Sequence, residues 1–189
     1  MTGVGASLQI AFGVSPFDDT TLDVSSNWVV LQAGRPSEVR SIEYATDTRS
    51  DRFTVFSAGF LTAELDNRDR RYDPLHADGP HFGNLIRGTP VRLIGTDQGT
   101  GYVVWYGYLR EIVPTYSGPN DSIATIHCVT DLAIASQYEL APITAAHGND
   151  TSGDRIGRVL DDFGQPSAYR DLDAGAQLDT TTFGTNMLA

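Results

Sequence analysis

The sequence predicts a mainly β chain: an antiparallel barrel or sandwich with one long ordered loop, followed by a short α-helical segment that begins a second domain. Three observations carry this. Apolar and polar residues alternate with period 2 in about seven short segments separated by turn residues, the pattern of an all-β domain. Between two of these segments stands NRDRRYDPLHADGPHFGN, residues 67–84, too rich in Pro, Gly, Asn and Asp for any regular element and longer than most connections in compact domains. Beyond residue 150 the period changes, with Ile156, Val159, Leu160 and Phe163 at i, i+3, i+4 and i+7.

Taken in order, Leu8, Ile10, Phe12 and Val14 alternate with Gln9, Ala11 and Gly13 as a strand with one buried face, and a turn-rich stretch follows from Pro16 to Ser26. Strand signals resume at 27–31, 41–44 and 53–56, and Leu61, Ala63 and Leu65 then alternate with Thr62 and Glu64 up to the long loop. After it come 90–94, a Gly-rich turn and the aromatic run 101–109. In that run Val103, Trp105, Leu109 and Val113 share one parity and Val104, Tyr106, Tyr108 and Ile112 the other, so both faces are expected to be covered, at least in part. Residues 117–121 read as a hairpin connection into a β-branched strand from Ile123 to Thr130. Thr151 with Asp154 forms a capping-box signature for the final helix, and Gly164-Gln165-Pro166 stops it. The helix is short, and Gly157 costs it about 1 kcal/mol relative to Ala, so its stripe needs a surface to pack on. A boundary near Ala141-Pro142 divides the chain into a β-domain over 1–140 and a linker plus amphipathic helix over 141–189.

Composition narrows the function classes. The chain has 189 residues and carries 24 acidic residues against 13 basic ones, all arginine, for a net charge of −11. That balance opposes nucleic-acid recognition and anionic membranes, and no apolar run approaches a membrane span. The single cysteine, Cys128, falls in a strand pattern and reads as a buried thiol.

The chemical motifs are few. Counting from Asp66, Arg71 and Ala77 occupy the places an EF-hand gives to Gly and Glu, so Asp69 and Asp73 read instead as ion-pair partners of Arg68, Arg70 or Arg71. His76 and His81 beside Asp73 and Asp78 lack a known zinc spacing, and no metal or cofactor is expected. No nucleophile elbow, phosphate loop or dinucleotide fingerprint occurs, and no catalytic residue is assigned. Glu43, Glu64 and Glu111 are a conceivable glycosidase set, each in a separate strand pattern where a solvated face explains it equally well. The aromatic run could form a sugar platform, but aromatics fill strand cores more often.

Several stretches together resemble the minor tail proteins of actinobacterial phages: Ala63 to Pro74 (AELDNRDRRYDP), Gly79 to Leu85 (GPHFGNL), Gly88 to Leu93 (GTPVRL), the strand WYGYL at 105–109, residues 126–135, and RIGRVL at 155–160 with RDLD at 170–173. The segment 35–50 departs from the pattern. The resemblance implies a tail-tube-like β-barrel of the hub type and a non-enzymatic protein at the distal end of the virion tail. Its copies would form a ring, expected to be a trimer, that closes the tube and carries fibres or a spike while DNA passes through; the expected partners are the tail tube, the distal tail protein and those fibres. It also implies that this chain is the N-terminal part of a longer protein. A hexameric distal tail adaptor and a carbohydrate-binding or glycosidase module are the alternatives. Within the loop, Arg68, Arg70, Arg71 and Tyr72 are expected at a neighbouring subunit, since Arg and Tyr are enriched in interfaces, while Leu75, Phe82, Leu85 and Ile86 are expected to anchor the loop.

Overall fold

The computed structural model describes residues 5–14, 27–31, 38–47, 57–118, 121–135, 151–165, 167 and 170–176. The chain divides into two compact units, Met1–Ala133 and Ile134–Ala189. The expected strand at 53–56 and the boundary at Ala141-Pro142 lie outside the described residues.

The first unit holds one antiparallel sheet of 7 strands: β1 (Gly5–Ile10), β2 (Val29–Val30), β3 (Val39–Ala45), β4 (Phe60–Asp66), β5 (Pro90–Asp97), β6 (Thr100–Gly118) and β7 (Asp121–Val129), in the order β2-β1-β5-β6-β7-β4-β3. Alternation explains the inward faces. Leu61, Ala63 and Leu65 of β4 stand opposite Cys128, Ile126 and Ala124 of β7, and all of them are buried. Small residues face large ones there. On the other side Leu8 faces Leu93 and Ile10 faces Val91.

The sheet is curved into a half-barrel. Leu8 and Ile10 near one end and Leu61 and Leu65 near the other belong to a single core with Trp105, Leu109 and Ile126. The Trp105 Nε1–H donates to the Ala45 carbonyl at 3.1 Å, although β7 and β4 separate β6 from β3 in the sheet. In a flat sheet that separation would be roughly 14 Å, so only a bend toward the core brings the two together. Cys128 is buried with its thiol free, and burial pushes its pKa upward.

Departures from simple alternation shape both β1 and β6. β1 ends at Ile10 rather than Val14, because Gly13 takes φ 74 and the Val14 amide closes a turn on the Ala11 carbonyl at 3.2 Å. That turn carries Phe12 out of the ladder. In β6 the pairing steps from Leu109↔Cys128 to Glu111↔His127, leaving Arg110 as a bulge. The bulge reverses which parity faces the core: Trp105 and Leu109 point inward before it and Ile112 packs on the core after it. This accounts for Ile112; Tyr106, of the same parity but before the bulge, packs instead on a second cluster with Trp28.

The division between the units falls within the short helix α1 (Asp131–Ala135). In the second unit α2 (Ser152–Phe163) has the expected capping box: Thr151 Oγ1 accepts from the Asp154 amide at 3.2 Å, and the Asp154 carboxylate accepts from the Thr151 amide at 3.0 Å. Gly164 closes the helix at φ 84. Residues 170–176 return along α2, where the Ser152 and Gly153 amides donate to the carbonyls of Ala176 and Ala174. A Cβ on Gly153 would lie 2.1 Å from the Asp173 carbonyl, so only glycine admits this strap. Arg170 secures the other end by donating to the Gly157 carbonyl at 3.0 Å and to Asp161 at 2.7 Å.

Candidate functional site

The long loop is an arm built almost entirely from turns. Amides of Arg70, Asp73, His76, Gly79 and Phe82 donate in succession to the carbonyls of Asn67, Arg70, Asp73, His76 and Gly79, each three residues back. One turn therefore begins where the last closes, and backbone groups that a strand would satisfy across a ladder are satisfied locally. Asn84 and Thr89 add the same bond to His81 and Ile86. The punctuation in the sequence supplies these turns, and Arg70 takes one of them in the left-handed region at φ 58.

Side chains fix the turns to one another and to the barrel. Arg68 pairs with Asp66, Arg70 with Asp73 at 2.7 Å, and Arg71 with Asp69 at 2.6 Å, the local pairing expected from the sequence. Arg71 also reaches Glu38, just before β3, at 3.1 Å, and the Tyr72 hydroxyl donates to the same Glu38 oxygen. The Tyr72 amide donates to Asn67 Oδ1 at 2.9 Å. Asp73 accepts from the Leu75 amide at 2.9 Å and from the hydroxyl of Tyr116, on β6, at 2.6 Å. The Tyr116 hydroxyl, followed by Arg70 and the Leu75 amide, lowers the Asp73 pKa to about 2 against the opposing effect of desolvation. Arg68 and Arg71 likewise hold Asp66 and Asp69 below the usual carboxylate range.

His81 lies in a stack. Its ring is 3.8 Å from that of Phe12 and 5.7 Å from that of Tyr72, with interplanar angles of 18° and 11°. Burial is the main cause that lowers its pKa. His76 is separately engaged, with its Nδ1 3.2 Å from the Arg70 carbonyl. Asp73 is committed to Arg70 and Tyr116.

The placement of the arm residues corrects two expectations. Tyr72 does not face a neighbour: it is 0% exposed and belongs to the core, because the first turn of the arm folds its ring inward while the hydroxyl finds Glu38. Of the residues expected to anchor the arm, Leu85 packs on the core, but Leu75, Phe82 and Ile86 point outward at 87%, 51% and 47% exposure. The turns are already fixed by backbone bonds and ion pairs, so these side chains are not needed to hold the arm down. Arg68 and Arg70 are largely exposed, while Arg71 is mostly covered by its partners. Glu38, Tyr116 and Phe12, which complete the docking, were not singled out in the sequence. Their partners in the arm lie 33 residues or more away, and no local spacing signals such contacts.

The remaining candidates separate. Glu43, Thr62, His127 and Glu111 fall on one rung across β3, β4, β7 and β6. Glu43 and Glu111 are therefore not on neighbouring strands: β4 and β7 stand between them in the sheet. Glu64 accepts from the Ser41 hydroxyl at 3.1 Å. In the aromatic run Trp105 and Tyr108 are buried, and Tyr106 packs edge-on against Trp28 at 6.4 Å, so most of it is structural.

The curved antiparallel sheet is a fold found in a phage tail protein. The chain is similar to the 43 kDa tail protein of prophage MuSo2 from Shewanella oneidensis, with a TM-score of 0.52 and 14% identity over 95% of this chain. The match takes in 45% of that protein, so this chain corresponds to less than half of its length. At that identity the likeness is one of fold. No protein-family model matches the sequence, and no curated protein does.

Proposed function

We propose that this chain is a structural, non-enzymatic component of a phage tail: a hub-type minor tail protein of the actinobacterial phage kind, at the distal end of the virion. In this reading copies of the chain form a ring, three-fold in symmetry, that closes the tail tube, carries fibres or a spike and lets DNA pass. The shared fold with a prophage tail protein supports a tail role. The observation that carries the reading further is the arm. A loop of this length is held rigid by consecutive turns, and it then presents Leu75, Phe82 and Ile86 to solvent. Exposed apolar groups on a preorganised element suit an interface, since little conformational freedom remains to be lost on binding.

Charge supports the same surface. The segment 66–89 carries four aspartates and four arginines and is neutral, so the net −11 resides in the rest of the chain. Copies so acidic repel one another over most of their surface, and the neutral arm is where they can approach. Acidic residues lining the ring would also repel the DNA backbone and keep passage smooth. Cryo-electron microscopy of virions tests the reading: density for this fold in a ring at the distal tip supports it, and density along the tail shaft or in the capsid overturns it.

A further inference from the structure

We propose that His81 is a proton-operated latch for the outer part of the arm, residues 77–84, closed when its imidazole is neutral and released when it is charged. The geometry is that of a seam. Phe12 comes from the turn that ends β1, Tyr72 comes from the arm's base, and the His81 ring stacks on both. Asn84 lies against Gly13 on that same β1 turn, where a Cβ would stand 2.8 Å from the Asn84 Oδ1. The base of the arm is fastened differently, through Tyr72 buried in the core and Asp73 on Tyr116.

The groups facing His81 determine what a proton does there. Phe12 and its neighbours Ala11, Gly13 and Val14 bring no titratable group. Arg71 opposes a second positive charge, while Glu38 and Asp69 favour one. Both of those carboxylates are already held by Arg71, and Glu38 also accepts from Tyr72, so neither is free to receive an imidazolium. Burial of the imidazole opposes the charged form most strongly. The folded-state pKa therefore lies below the 6.5 of free histidine. For a base depressed in this way the latch is fully closed above the unfolded value and weakens as pH falls through it toward the folded value. Each unit of depression raises the open population about tenfold.

Amide hydrogen exchange on the intact chain reads this directly, with protection factors corrected for the pH dependence of intrinsic exchange. The amides of Phe82 and Asn84, bonded to Gly79 and His81, should lose protection several-fold or more between pH 7.5 and 5, while those of Arg70 and Asp73 at the arm's base keep theirs. His81→Phe keeps the stack without the titration and should hold Phe82 and Asn84 protected at both pH values; His81→Ala should leave them open at both. The proposal is overturned if wild-type protection at Phe82 and Asn84 does not change with pH, or if His81→Phe retains the change. It is equally overturned if the His81 ring titrates, by nuclear magnetic resonance, at or above the free-histidine value. None of these readouts depends on the chain being a tail protein.

Discussion

Replacing Tyr72 by Phe separates the two ways in which this residue joins arm to barrel. The ring is 0% exposed within the core, and the hydroxyl donates to Glu38, itself nearly buried and also held by Arg71 at 3.1 Å. Tyr72→Phe keeps the ring and deletes one buried hydrogen bond to a charged acceptor, worth about 1.5 to 3 kcal/mol. Because Arg71 still holds Glu38, the loss should fall near the lower end. Tyr72→Ala removes the ring as well and should cost about 3 to 5 kcal/mol, as for other large buried aromatics. Urea titration followed by tryptophan fluorescence measures both, since Trp28 and Trp105 lie in the first unit and report its unfolding alone. In a Glu38→Gln background the Tyr72→Phe effect should shrink by about 1 kcal/mol, the coupling expected of contacting groups. A Tyr72→Phe variant within about 0.5 kcal/mol of wild type, or a Tyr72→Ala variant losing less than about 1, would refute the placement of this residue.

Two further outcomes follow from the same geometry. Gly107→Ala would put a Cβ 2.3 Å from the Val129 carbonyl and 2.6 Å from the Trp105 ring, so it should destabilise the first unit by about 3 kcal/mol, again by urea titration. The Asp73 carboxylate has a folded-state pKa of about 2 against an ordinary 3.8, so its contribution is present above about 3.8 and is lost as pH falls through about 2. Tyr116→Phe removes the main cause of that depression, and its acid-unfolding curve should be shallower than wild type between those two values.

What the sequence made legible was what local physics controls. The alternation in Phe60–Asp66 and the capping box at Thr151 and Asp154 depend on residues two to four apart, and both stand where the pattern places them. The pairings of Arg70 with Asp73 and of Arg71 with Asp69 were legible for the same reason. The bulge at Arg110 was not, because a skipped residue is set by the register of β7 and leaves in the sequence only an apolar pattern of mixed parity. Tyr72 and Leu75 show the same limit within the arm. An Arg-Arg-Tyr run in a polar loop reads as surface and a loop leucine reads as an anchor. The turn ladder instead folds Tyr72 inward, and Leu75, its amide held by Asp73, projects into solvent. Side-chain direction there depends on backbone torsions that no period encodes.

The central claim is that a rigid, neutral arm joins copies of this chain through its outward apolar side chains, and the most direct test is the mass of the assembly in solution. Native mass measurement should find a closed oligomer, three copies in the proposed ring. The double variant Leu75→Glu/Phe82→Glu should run as a monomer of 20.4 kDa with its urea midpoint unchanged, because both side chains are exposed. A wild-type chain that stays monomeric at every concentration, or a double variant that assembles as well as wild type, would contradict the account.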